Sequence, residues 1–194
     1  MSFKRAIGLV LVVEGALALL ALIYYGGTIE NLQAVTRYSG RFSLTLFSAI
    51  FLLQKNKPML ERLLSKQYYA IFAIAHAIHL AELLSYVYLS GIPLVPHRLA
   101  GGFLAYMFIF AMPFLQVAVE KGSLSEKRFA TIQYIYLYYV WFVFFMTYLA
   151  RVQGTFPNAG GSYAEHVALL AWVSLMLGIS FSRVLQRPNR AQTK

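Results

Sequence analysis

Three ionisable residues recur at intervals of three within IFAIAHAIHLAELL, residues 71–84: His76, His79 and Glu82. On an α-helix that spacing places them on neighbouring parts of one face. Imidazoles so placed can ligate a metal or a haem iron, with a carboxylate behind them to orient the ring. They can equally hydrogen-bond to a facing helix and fix its register. Glu14 sits in equally apolar surroundings, within LVLVVEGALALLALI. A charged side chain at the centre of a membrane helix costs about 2.5–3.5 kcal/mol on insertion scales, so each of these residues needs a partner or a task.

The elements that must hold them are apolar helices. The chain has 194 residues, 59% hydrophobic and only 12% charged, with no Asp. Soluble domains carry about 25% charged residues, so the composition points to an integral membrane protein. A helix needs about 20 apolar residues to cross a bilayer. Six such spans are expected, over roughly 6–25, 40–54, 67–90, 99–119, 129–150 and 163–182. The expected fold class is all-α, a six-helix transmembrane bundle forming one integral membrane domain over residues 1–194. The first span is too long for a signal-peptide core, and Glu14 interrupts it. The connections are short, and the tail RVLQRPNRAQTK is expected to be frayed.

Charge sets the expected orientation. With alternating helices, 13 of the 17 Lys and Arg residues fall on the side of the termini and the second and fourth connections, and only Arg37, Arg41, Arg98 and Arg151 fall on the other. Cationic loops are retained in the cytoplasm, so both termini are expected there. The net charge of +10 is thereby explained without a nucleic-acid partner. The lipid bilayer is the expected surrounding, and its anionic inner leaflet would hold the basic loops close.

At about 1.5 Å per residue, His76 lies roughly 15 Å and His79 roughly 20 Å beyond Lys66. Glu14 lies roughly 15 Å beyond Lys4, so a carboxylate and an imidazole share a depth. Zinc asks for three or four protein ligands, and a histidine-rich di-iron site asks for more histidines than the four present. The absence of cysteine removes disulfides, iron–sulfur clusters and thiolate ligation. Haem asks for least: one or two axial ligands and an apolar aromatic pocket. The run IQYIYLYYVWFVFFMTYLARV is rich in aromatic residues, although helix packing and an interfacial belt also use them. His76 and His79 cannot both ligate one haem, because neighbours on one helix cannot reach opposite faces of the ring.

The stretch YSGRFSLTLFSAIFLLQKNKPMLERLLSKQYYAIFAIAHAIHLAELL resembles the ferric reductase-like transmembrane domain family. In that family a small–Gly–Arg start to the second helix leads through a basic loop to a histidine-bearing third helix. GGFLAYMFIFAMPF and LSEKRFATIQYIYLYYVWFVFFMTYL look like the fourth and fifth helices of small stand-alone bacterial members, related to the haem-bearing membrane subunit of the methionine sulfoxide reductase system. The resemblance runs from about Tyr38 to Arg183. It implies six helices, b-type haem, a bacterial cytoplasmic membrane and an oxidoreductase subunit. The family's third-helix histidine matches His76, with His79 alongside. The fifth-helix positions depart: Phe129 stands for the expected tryptophan, Gln133 for the expected histidine, and Met146 for a second histidine. Gln133 could bond to a ligand water or a propionate, and Met146 could be an axial ligand.

The expected activity is therefore electron relay across the bilayer through at most one haem b, ligated by His76 or His79, with Glu14 and Glu82 tuning the ligand or carrying a proton. No dinucleotide-binding fingerprint is present, so electrons would come from a separate flavoprotein or from quinol. The alternative is a haem-free relative, a membrane scaffold or carrier in which the His/Glu cluster is structural. A metal-dependent hydrolase or proton-coupled transporter would rest on the same cluster without a second box.

Overall fold

A computed structural model describes the backbone of residues 1–92, 96–155 and 160–185, and their side chains apart from those of 96–99 and 183–185. The described residues form helices and no strand. The helices are α1 Phe3–Tyr25, α2 Ile29–Leu53, α3 Lys57–Leu63, α4 Tyr68–Leu89, α5 Pro96–Glu120, α6 Glu126–Val152 and α7 Tyr163–Leu185. The basic tail beyond Leu185, and parts of the third and fifth connections, lie outside the described residues.

Five of these helices are long and apolar enough to cross a membrane: α1, α4, α5 from Ala100, α6, and α7 as far as Ser182. Apolar side chains such as Leu9, Val12, Leu19, Leu20 and Ile23 on α1 are exposed, which suits contact with lipid. α2 is long enough but not apolar enough to join the five. At 25 residues it is much longer than the expected 40–54, because most of the expected first connection is helical. The reason is local. Gly26 stops α1 with φ 69°, a backbone that favours glycine. The Asn31 side-chain amide then donates to the Gly26 carbonyl at 2.7 Å. From Thr36 the buried positions 36, 39, 43, 47 and 50 recur at three and four, the inward stripe of one continuous helix.

The second connection also contains structure. Asn56 caps α3 by accepting from the Met59 backbone N–H at 3.3 Å, and Leu60 is wholly buried. α5 runs on through Pro113.

The chain divides into two compact units, Met1–Val143 and Phe144–Lys194. In the first, α2 packs against both α1 and α4, and α4 also packs against α1 and α5. The small buried residues Ala34, Ser39 and Ser43 line α2. In a membrane, where helices gain nothing by leaving lipid of equal apolarity, close approach over small residues supplies the association energy. Further along, Phe47, Phe51, Phe72, Tyr69 and Tyr136 are all essentially fully buried. Phe47 meets Phe72 at 5.7 Å between ring centroids, and Tyr69 meets Tyr136 edge-on at 5.6 Å.

In the second unit, Ser162 and Glu165 form a reciprocal cap at the start of α7. The Ser162 N–H donates to the Glu165 carboxylate at 2.8 Å, and the Glu165 N–H to the Ser162 hydroxyl at 3.3 Å. His166, in the first turn of α7, is only 6% exposed. With Val173, Met176 and Ser180 it lies on a buried stripe of α7.

Candidate functional site

The six residues singled out by their chemistry lie on three helices, α1, α4 and α6. His76, His79 and Glu82 lie along α4 as the spacing requires. Glu14 lies on α1, buried. Gln133 belongs to the first unit, and Met146 to the second.

His76 is buried within aromatic rings. Phe72, one turn before it, lies 5.2 Å away between centroids, and Tyr106 of α5 lies 4.9 Å away. The Gln116 amide donates to the Lys66 carbonyl at 2.6 Å. That bond ties α5 to the start of α4 two to three turns from the His76–Tyr106 contact, so the pair is positioned from one end. His79 follows His76 at 5.4 Å between centroids with the rings inclined by 46°.

His79 owes its position to Gly40. A Cβ placed on Gly40 would stand 2.9 Å from His79 Cε1, 3.3 Å from Nε2 and 3.4 Å from Nδ1. The Nδ1–Cε1–Nε2 edge of the imidazole therefore rests on the α2 backbone, and any side chain at position 40 would displace it.

One residue earlier on α2, Ser39 is wholly buried and donates its hydroxyl to Glu14 Oε1 at 3.1 Å. Glu82 reaches the same hydroxyl from α4 and lies close enough to feel the Glu14 charge. Three helices thus meet at Glu14, Ser39 and Glu82. One turn further, Gln33 of α2 donates to the Tyr86 hydroxyl of α4 at 2.9 Å. The expectation paired Glu14 with an imidazole at the same depth; the hydroxyl bonded to its carboxylate is that of Ser39.

Gln133 is engaged elsewhere. Its side-chain amide donates to the Tyr69 hydroxyl at 2.7 Å, and Tyr69 also packs edge-on against Phe129 at 6.4 Å. The two fifth-helix departures, Phe129 and Gln133, thus both meet one α4 tyrosine two turns before His76. Met146 is 44% exposed.

These observations bear on whether haem suits the chain. His76 offers a buried imidazole in an aromatic setting, a residue that would suit holding a haem iron. No group of three or more His, Cys, Asp or Glu able to hold a bare metal ion occurs among the described residues.

Ser39 and Gly40 entered the sequence reading only as the small–Gly start of the second helix, with no contact assigned to them, and Tyr106 was not singled out. For Ser39 and Gly40 a signal exists in YSGRFS, since small residues on a buried helix mark close approach. Tyr106 had none, because one tyrosine in GGFLAYMFIF looks like any other lipid-facing or packing ring.

Compared with known proteins, the chain matches no family model, no curated protein and no solved structure.

Proposed function

We propose that the chain is an integral membrane electron relay of the ferric reductase-like kind, holding one b-type haem through His76 and depending on a separate flavoprotein or quinol for electrons. In this reading the chain crosses a bacterial cytoplasmic membrane six times, with α2 as the sixth span and both termini cytoplasmic. The observation that carries the redox reading is the setting of His76: buried in mid-helix, with aromatic rings of α4 and α5 against it. Of the two imidazoles His76 is the better donor, because the edge of His79 is taken up by Gly40.

When bound, haem supplies a one-electron couple. The chain's own residues supply the rest. His76 would hold the iron, Phe72 and Tyr106 exclude water around it, and His79 fixes the spacing of α2 and α4. The test is the dithionite-reduced absorption spectrum of protein purified from haem-replete cells. A Soret band and a sharp α band are expected, lost in His76→Ala and kept in His79→Ala. A colourless preparation overturns the reading. Orientation is tested separately. The natural chain has no cysteine, so a lone Lys121→Cys should resist membrane-impermeant thiol reagents added to intact cells.

A second reading is favoured by the Gln133–Tyr69 bond. Here the chain is a haem-free relative, a scaffold or carrier, with Gln133 joining α6 to α4 where a haem ligand would otherwise stand. It expects His76→Ala to lower the melting temperature without altering any spectrum.

A further inference from the structure

We infer that Glu14 and Glu82 together bind one exchangeable proton, shared through the Ser39 hydroxyl, and that this proton joins α1, α2 and α4. The argument is a count of hydrogens. Ser39 has one hydroxyl proton, and it is directed to Glu14 Oε1 at 3.1 Å. Glu82 lies within reach of the same oxygen, and a carboxylate can only accept. Glu82 therefore gains a bond to Ser39 by bringing a proton of its own, so that Glu82 donates to Ser39 and Ser39 donates to Glu14. One added proton completes the chain of bonds; two would leave Glu14 with a second donor to place, and none would set two anions side by side.

Burial makes the state with no added proton costly. Ser39 is 0% and Glu14 5% exposed, Glu82 is partly buried, and like charges in such surroundings repel more than in water because solvent screens them less. Oε2 of Glu14 and Oε2 of Glu82 are both buried with no hydrogen-bond partner among the described residues, so no other donor replaces the shared proton at those atoms.

The charged and titratable groups on the three helices are few. On α2, Arg37 and Arg41 flank Ser39 at two residues on either side, about 200° round the helix. Their guanidinium groups stand over the Tyr38 ring at 5.0 and 4.9 Å. On α4, His79 lies three residues before Glu82 with its edge on Gly40, His76 lies a further turn away, and the Tyr86 hydroxyl accepts from Gln33. On α1 only Glu14 is ionisable within the apolar run. His79 is the imidazole nearest Glu82 along α4, and the experiment separates it. The inference holds whether or not His76 carries iron.

The test is infrared spectroscopy of the purified full chain in detergent at neutral pH, read at the carbonyl stretch of protonated carboxyls. A single band that shifts in heavy water is expected. Glu82→Gln and Glu14→Gln should each remove it completely, not by half, because one proton serves both residues. In either variant the glutamine amide donates to Ser39 in place of the lost proton, so the melting temperature should stay at the wild-type value. His79→Gln should keep the band. Absence of the band in wild-type protein overturns the proposal. In that case a melting temperature raised by sodium at fixed pH assigns the compensating charge to a metal ion, and an unresponsive one assigns it to a side chain, His79 or an arginine of α2. A band that survives both glutamine substitutions also overturns it.

Discussion

Along the α2–α4 contact, one stretch is narrow and polar and the next is wide and aromatic. At the first, Ser39 and Gly40 meet His79 and Glu82, with Glu14 joining from α1. Two turns on, Phe47 meets Phe72, and Phe51 meets Tyr138 of α6 edge-on at 5.4 Å. The difference teaches how one helix pair can be both held together and kept specific. Large rings gain dispersion energy wherever they interlock. The polar stretch accepts one register alone, because a shift of one residue would set Gly40 against a different side chain and part Ser39 from Glu82.

Substitutions in the two stretches should therefore fail differently. The largest loss is expected from Phe47→Ala, which empties a site at 0% exposure. It should cost about 3–5 kcal/mol, read as unfolding in a detergent titration, with the α2–α4 register kept. If Phe47→Ala alters the distance between spin labels on α2 and α4, the aromatic stretch is setting register too, and the contrast breaks. Gly40→Ala should cost less, about 1–3 kcal/mol, as overpacking does. It should nevertheless move α2 relative to α4 in the same label measurement, because the new methyl group meets His79 Cε1 at 2.9 Å. The smallest effect is expected from Gly15→Ala, at a glycine whose Cβ would meet nothing within 4 Å. It should be neutral, or stabilising by up to about 1 kcal/mol through helix propensity. A loss at position 15 as large as that at position 40 would show that glycine is needed in these helices for reasons other than the His79 contact.

The apolar helices α1, α4, α5, α6 and α7, long enough to cross a membrane, were legible in the sequence because length and apolar composition are local properties, read from 20 residues at a time. α2 was legible only in part. Thr, Asn, Gln and Arg between residues 28 and 41 look like a connection when hydropathy is averaged, whereas they belong to a helix whose buried stripe is small and polar. The short α3 was hidden in the same way, since Asn56 and Pro58 read as loop residues until the cap they form is seen.

For the site, the sequence by itself determined that His76, His79 and Glu82 share one helix face and that Glu14 must be desolvated, because helical periodicity and the cost of buried charge need no knowledge of neighbours. What those residues touch was decided by the tertiary structure alone. Ser39 between two carboxyls, Gly40 beneath His79, Tyr106 against His76 and Tyr69 holding Gln133 are contacts between residues 25 to 64 positions apart. Depth along a helix axis is additive and can be counted from the sequence. Rotation of one helix against another is set by the packing of whole surfaces, and no count along the chain gives it.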